Sequence, residues 1–251
     1  MRRNIKKKII GLIPCRLNST RLKQKALLFI DGLPLIIHTL KRVQLCKDLD
    51  DVIVCTDSKI IQRLVRKHGG KCVITKKKHN TGTDRIAEVS KKIRYDIAID
   101  IQGDFPFVDP NNISKLVKFH KKNNFDIVVP HSPMHEDDAK SKDIVKLVVD
   151  ENNKIVYFSR SQVPFAFKKK PNFYLKHMSI ISFSKKSLEK FSSLKPGKIE
   201  LIEGIELMRA IENNFNLGSF LIKKDIFSVD VKTDYLKSIT LMPNDPVRKK
   251  Y

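Results

Sequence analysis

Five short runs rich in Ile and Val, KIIGLIP, DDVIVCT, KCVIT, YDIAIDIQ and FDIVVP, constrain this chain more than any other feature. Each is apolar at consecutive positions, as in a strand covered on both faces. Between them stand PLIIHTLKRVQLC, KIIQRLVRKHG, TDRIAEVSKKI and NNISKLVKFHKKN, whose apolar residues recur at helical spacing. Strands and helices in alternation predict a doubly wound, mainly parallel α/β sheet. The helix signals agree. Pro34 stands at a first-turn position, Ser58 is placed to cap a helix, and Gly69-Gly70 falls where a helix ends.

After Pro130 the rhythm changes. DIVKLVVDENNKIVYFSRS reads as two strands around Asp150 to Asn153, a β-hairpin excursion. HMSIISF then reads as a strand, ELIEGIELMRAIENN as one helix, and FSVDVKTDYLKSI as a last short strand entering a helix. We expect one domain over residues 1–251, with the excursion at about 131–185 and a loop at KKKPN.

Composition narrows the function. Fifty basic against 27 acidic residues give a net charge of +23, which fits a nucleic-acid-binding protein or a lysine-rich solvated surface around an anionic substrate. The lysines fall in short scattered runs, not along one helix or among aromatics, which disfavours nucleic acid. MRRNIKKK precedes an apolar stretch too short for a membrane span and broken by Gly11 and Pro14, so we expect a cytoplasmic protein with no membrane insertion. Cys15, Cys46, Cys55 and Cys72 match no zinc or disulfide spacing.

In open α/β sheets the ligand lies beyond the carboxyl ends of the strands. RLNSTRLKQK follows the first run and offers Arg16, Ser19, Thr20, Arg21 and Lys25, the cations and donors a phosphate site needs. It matches neither the P-loop nor the dinucleotide-binding pattern, and a basic surface loop would look the same. Other strand ends deliver Thr56-Asp57, Gln102-Gly103-Asp104 and Asp230. Two carboxylates from distant segments near clustered cations suit magnesium-assisted nucleotidyl transfer. HNTGTDRIAE, from His79, leads a glycine turn into a helix whose amides can meet a base or a phosphate.

Taken in order, IPCRLNSTRLKQKALLFIDGLPLIIHTLKR, HNTGTDRIAE, IQGDFPFVDP, YFSRSQVPF, LKHMSIISF, ELIEGIELMR and FSVDVKTDYL resemble the 3-deoxy-manno-octulosonate cytidylyltransferase (CMP-Kdo synthetase) family over most of the chain. The resemblance implies a Rossmann-like nucleotidyltransferase fold of glycosyltransferase-A type, CTP and a sugar acid as substrates, Mg2+ as cofactor and a homodimer. The reaction it implies moves CMP from CTP to the anomeric hydroxyl of Kdo or a modified form, with release of pyrophosphate, for surface polysaccharide synthesis. CMP activation of a nine-carbon, sialic-acid-like sugar is the neighbouring alternative.

By matched position, Arg16, Ser19 and Lys25 would hold the triphosphate, with Gly82, Thr83, Arg85 and Gln102 at the nucleotide and Asp104 and Asp230 on the metal. Lys25, Arg16, Asp104 and Asp230 would carry catalysis. Arg85, Gln102, Arg160, His177, Glu200 and Glu203 would line the sugar pocket, Arg160 facing the substrate carboxylate. Read without the motif, His177 is a satisfied strand histidine, Arg160 a hairpin-edge cation, and Glu200, Glu203 and Glu206 a solvated helix face. The chain departs from the family pattern at Lys23-Gln24 (Pro-Gly), Phe105 (Glu), Leu207 (Gln) and Lys176 to Ile181 (RHxGIY). Most of these changes fall on the expected sugar side, which raises the expectation of a modified sugar such as 8-amino-Kdo.

Overall fold

The computed structural model describes residues 7–19, 21–76, 78–223 and 227–251. In chain order the elements begin with β1 (Ile9–Cys15), β2 (Phe29–Ile30), β3 (Leu33–Pro34), α1 (Leu35–Gln44), β4 (Asp51–Thr56), α2 (Lys59–Lys67) and β5 (Lys71–Ile74). They continue with α3 (Gly82–Ser90), β6 (Ile97–Ile101), α4 (Pro110–Lys122), β7 (Ile127–Met134), α5 (Glu136–Ala139), β8 (Lys146–Val149) and β9 (Ile155–Ser159). The last are β10 (Tyr174–His177), β11 (Ile180–Ser184), α6 (Lys185–Ser193), α7 (Lys198–Glu203), α8 (Met208–Glu212), β12 (Leu217–Leu221) and α9 (Lys232–Leu241). The chain forms two compact units, one of Met1–Val117 with Ile226–Tyr251 and one of Lys118–Asp225.

The first unit is the α/β sheet that the apolar runs predict. Its strands lie in the order β5-β4-β1-β6 and pair in parallel throughout. All seven residues of β1 and all five of β6 are buried, which accounts for their unbroken apolar character. Ser58 caps α2 as expected, its hydroxyl accepting from the Ile60 and Ile61 amides at 3.2 and 3.3 Å. The four cysteines are free and buried.

The C-terminal segment differs from the expected strand. Phe227 to Asp230 form no strand, and the Val229 amide makes a single 3.0 Å bond to the Asp104 carbonyl before α9 begins. The segment is held by side chains instead. Val229 and Met242 pack with Ile30 and Leu35, and the Tyr235 hydroxyl donates to the Phe29 carbonyl at 2.8 Å. Alternation of apolar residues in FSVDV, the only sequence cue, is equally satisfied by an extended segment with one inward face.

The second unit is mainly antiparallel. β7 pairs antiparallel with β10 and β11 and parallel with β12, while β8 pairs with β10 and, as the expected hairpin, with β9. β12 has no counterpart in the sequence reading, because Gly218 interrupts its apolar run. That glycine is required by packing, since a Cβ there would lie 2.3 Å from the Phe125 ring. The expected single helix ELIEGIELMRAIENN is two, α7 and α8. It breaks at Gly204, whose φ of 62° caps α7 in the left-handed region.

One departure from the family pattern has a backbone consequence. Gln24 stands where that pattern carries Gly, and it keeps a glycine-like conformation at φ 51°, ψ 32°. A side chain in that region costs about 1–2 kcal/mol, partly offset by the extra freedom Gly would lose on folding. Gln24→Gly is therefore expected to raise stability by about 0.5 kcal/mol, and Gln24→Val, β-branched, to lower it by more than ~1 kcal/mol, both read by urea denaturation. A Gln24→Val protein as stable as the parent would show that this turn carries no strain.

Candidate active site

At the carboxyl ends of β1 and β6, the first unit carries a cavity of about 290 Å3. Arg16, Ser19, Arg21 and Lys25 line it from the segment after β1, and His79, Asn80, Thr81, Gly82 and Arg85 from the start of α3. Gln102, Gly103 and Asp104 follow β6, and Asp230 precedes α9. The position matches the rule for open α/β sheets. Thr20 lies outside the described residues, and Thr83 is buried on α3 and does not line the cavity.

Lys25 organises the floor. Its Nζ donates to Asp104 Oδ2 at 2.7 Å and to Asp230 Oδ1 at 3.0 Å, and Arg21 Nη2 reaches the same Asp230 oxygen at 2.8 Å. Two carboxylates 126 residues apart in sequence thus meet at one cation. Burial works to lower the Lys25 pKa, and the two aspartates outweigh it and hold the ammonium above its ordinary value. Burial raises the Asp104 carboxyl above its usual range against the pull of Lys25, with the Asp230 charge adding to the rise. At Asp230 burial also acts upward, but Lys25 and Arg21 dominate and hold it below the usual range.

Asp230 is fixed from its own helix, because Asp234 accepts from the amides of Asp230 and Val231 at 2.9 and 3.0 Å. Asp104 is fixed by the turn after β6. Gly103 sits so close to β1 that a Cβ would come within 2.9 Å of the Pro14 carbonyl. Gly82 likewise faces the Gln102 amide, and a Cβ would be 3.0 Å from its Oε1. Gln102 Nε2 in turn donates to Asp100 Oδ1 at 3.0 Å.

Arg85 is a buried strut of the cavity wall. It donates to Asp57 Oδ2 at 3.3 Å and to Thr75 Oγ1 at 2.5 Å, and Asp57 Oδ1 accepts from the Leu17 amide at 3.3 Å. Asp57 therefore ties the start of α3 to the cationic segment, a role the sequence marked only as a strand-end carboxylate. His79, paired with Glu88 at 2.8 Å, also lines the cavity, and its only signal was its place at the head of HNTGTDRIAE.

Oxygen donors from two aspartates suit a hard divalent ion that fills its remaining positions with phosphate and water. No group of three or more His, Cys, Asp or Glu that could hold a metal occurs among the described residues. Asp104 and Asp230 are two such donors, with the Lys25 ammonium lying between their oxygens.

The other expected residues lie in the second unit. Glu203 accepts from Ser159 Oγ and the Arg160 amide, each at 2.9 Å. The Arg160 guanidinium donates to the carbonyls of Glu203, Lys142 and Gly204 at 2.9, 2.9 and 3.3 Å, so of its five N–H groups one on each terminal nitrogen makes no bond among the described residues. Glu200 is committed elsewhere. Arg209 grips both its oxygens at 2.6 and 2.8 Å, and burial, which would raise its pKa, is outweighed by that contact. His177 stands edge-on to Phe158, and its buried Nε2 has no partner among the described residues. Burial and then Lys176 lower its pKa to about 4, so it is neutral at pH 7. Phe105 and Leu207, which replace polar residues of the family pattern, are both core side chains, 6% and 3% exposed.

Residues 10–226 match the family model described as cytidylyltransferase. The chain is 36% identical over 237 residues to the 3-deoxy-manno-octulosonate cytidylyltransferase of Rickettsia canadensis (strain McKiel), covering 93% of this chain and 95% of that one. It is 37% identical to the enzyme of the same name from Rickettsia rickettsii (strain Sheila Smith), covering 93% and 96%. Among solved structures it resembles CMP:2-keto-3-deoxy-manno-octonic acid synthetase complexed with CTP, with a TM-score of 0.91 and 30% identity over 94% of this chain and 99% of that one. A cationic cavity with paired carboxylates at the strand ends, matched along nearly the whole chain, is therefore that of a nucleotidyltransferase, and the chain belongs to the cytidylyltransferase family.

Proposed function

We infer that this chain transfers the CMP group of CTP to the anomeric hydroxyl of the eight-carbon sugar acid Kdo, releasing pyrophosphate. The carrying observation is the Lys25 ammonium seated between Asp104 and Asp230 in a cavity that Arg16, Arg21 and Ser19 also line. A triphosphate entering there offers Lys25 a stronger anionic partner. Lys25 and Arg16 then face the β and γ phosphates and neutralise the charge that grows on the leaving pyrophosphate. Gly82 presents the start of α3, where the helix dipole favours an anion.

Asp104 and Asp230 would hold Mg2+, which when bound neutralises the α-phosphate and orients the incoming oxygen. In the transfer the anomeric oxygen bonds to the α-phosphorus, the bond from that phosphorus to the oxygen bridging to the β-phosphate breaks, pyrophosphate leaves with that oxygen, and the hydroxyl proton passes to water. Arg160 would take the sugar carboxylate with its two remaining N–H groups, one on each terminal nitrogen. Neutral His177 would offer its unpartnered Nε2 to a sugar hydroxyl. Glu200 would act as a structural partner of Arg209 that holds α7 and α8 together.

Of the departures behind the modified-sugar expectation, Phe105 and Leu207 pack in the core and are poor candidates to read a substituent, which leaves Lys176 to Ile181, beside His177, as the stretch that would read one. No helix among the described residues is long and apolar enough to cross a membrane. A homodimer is supported by apolar residues that the second unit leaves exposed, Phe165 and Phe167 after β9 and Leu201 and Ile202 on α7.

The reading is tested by pyrophosphate release with magnesium, CTP and a panel of Kdo, 8-amino-Kdo and a sialic acid, repeated with UTP. Release that needs CTP and is fastest with Kdo is expected, and Lys25→Ala should reduce it about 100-fold or more in a folded protein. Release with UTP alone, or a preference for either other acid, would overturn it. Sedimentation equilibrium should give twice the chain mass, falling to one for Phe165→Glu with Ile202→Glu. A monomeric parent would remove the dimer.

A further inference from the structure

Lys146 is a charged residue inside an apolar strand, IVKLVV, and its side chain is fully buried on β8. Burying an ammonium is unfavourable unless each of its donors is matched. Here all three are. Nζ donates to the carbonyls of Ser141 at 2.7 Å, of Ile144 at 2.8 Å and of Arg160. An ammonium has three N–H groups, so none is left over for a ligand.

The acceptors place Lys146 in a mechanical chain. The Arg160 guanidinium donates to the Lys142 carbonyl, which lies between those of Ser141 and Ile144. Both cations therefore grip the same turn, and Lys146 also fixes the peptide from which Arg160 projects. The Arg160 amide is in turn held by Glu203, which Ser159 holds from its other oxygen.

The acceptors of Lys146 are all neutral, so its charge is solvated by dipoles and not cancelled. Burial and then the Arg160 charge push the Lys146 pKa down, with Glu203 acting the other way. Lys146 thus sets a second positive charge beside Arg160, where Glu203 is the carboxylate acting on Lys146, and a second cation there favours an anionic group over a neutral one.

We propose that Lys146 is a positioning and specificity residue for the sugar acid, a buried ammonium that fixes the Arg160 peptide and the 141–144 turn and biases this cluster toward a carboxylate. This rests on the reading of Arg160 as the carboxylate contact.

The test is a pair of KM measurements, for Kdo at saturating CTP and for CTP at saturating Kdo, in Lys146→Met, Lys146→Gln and Arg160→Gln. Lys146→Met is expected to raise the KM for Kdo at least tenfold while moving that for CTP less than twofold. Lys146→Gln, which keeps donors without charge, should also raise the Kdo value, by less. Parallel changes in both KM values, or none, in a folded Lys146→Met protein would make the residue merely structural. Arg160→Gln separates the two readings. If it leaves the Kdo KM unchanged, the assignment of the sugar carboxylate to Arg160 fails; if it raises that KM and Lys146→Met does not, only the proposal for Lys146 fails. Should the Lys146 variants not fold, hydrogen exchange on the unaltered protein decides. Kdo with CMP should slow exchange at least threefold in peptides spanning 141–146 and 157–161, and unchanged exchange there would overturn the proposal.

Discussion

The meeting of Lys25 with Asp104 and Asp230 is the interaction on which the candidate site depends. The carboxylates come from the turn after β6 and the segment before α9, and neither segment forms regular structure at the point of contact. Left alone, two facing carboxylates would repel and one would take up a proton. The ammonium between them opposes that, and leaves Asp230 as the more acidic member. Much of the surrounding construction serves this meeting. Gly103 lets the β6 turn press against β1, Asp234 caps the helix behind Asp230, and the packing of Val229 and Met242 on Ile30 and Leu35 ties the segments flanking α9 to β2 and the start of α1.

The second unit solves a different problem with the same economy of charge. Around Arg160 its cations are matched by backbone carbonyls. Arg160 uses three, Lys146 three, and Glu203 binds an amide and a hydroxyl. Such a network is rigid because each member holds another, and removal of one leaves buried groups unpaired. Rigidity of this kind suits a site that must present a guanidinium in one orientation. The break between α7 and α8 belongs to it, since the carbonyls of Glu203 and Gly204 become available to Arg160 where the helix stops.

The parallel sheet was legible because consecutive apolar residues leave little choice but a strand buried on both faces, and the strand-end rule then pointed to Arg16, Lys25 and Asp104. Seven ordered motifs made the chemistry legible as well. What escaped was mostly what depends on three-dimensional partners. Nothing local distinguishes Asp57, which braces the cationic segment, from any strand-end carboxylate, or Lys146 from a surface lysine at a strand edge. Gly204 and Gly218 were visible as residues but not as a helix break and a packing hole for Phe125. FSVDV has the alternation of a strand and forms none, because the Val229 amide bonds to a turn and the inward side chains do the holding.

The account makes Lys25 the chain's own counter-ion for a pair of carboxylates that otherwise suit a divalent metal. The most direct measurement is the affinity of the nucleotide-free protein for Mn2+, by electron paramagnetic resonance, in the parent and in Lys25→Met. The account predicts at least tenfold tighter binding in Lys25→Met, since the carboxylates would then have lost the cation they already hold. Equal or weaker binding in a folded Lys25→Met protein would contradict it, and would mean that Asp104 and Asp230 are not the metal's ligands.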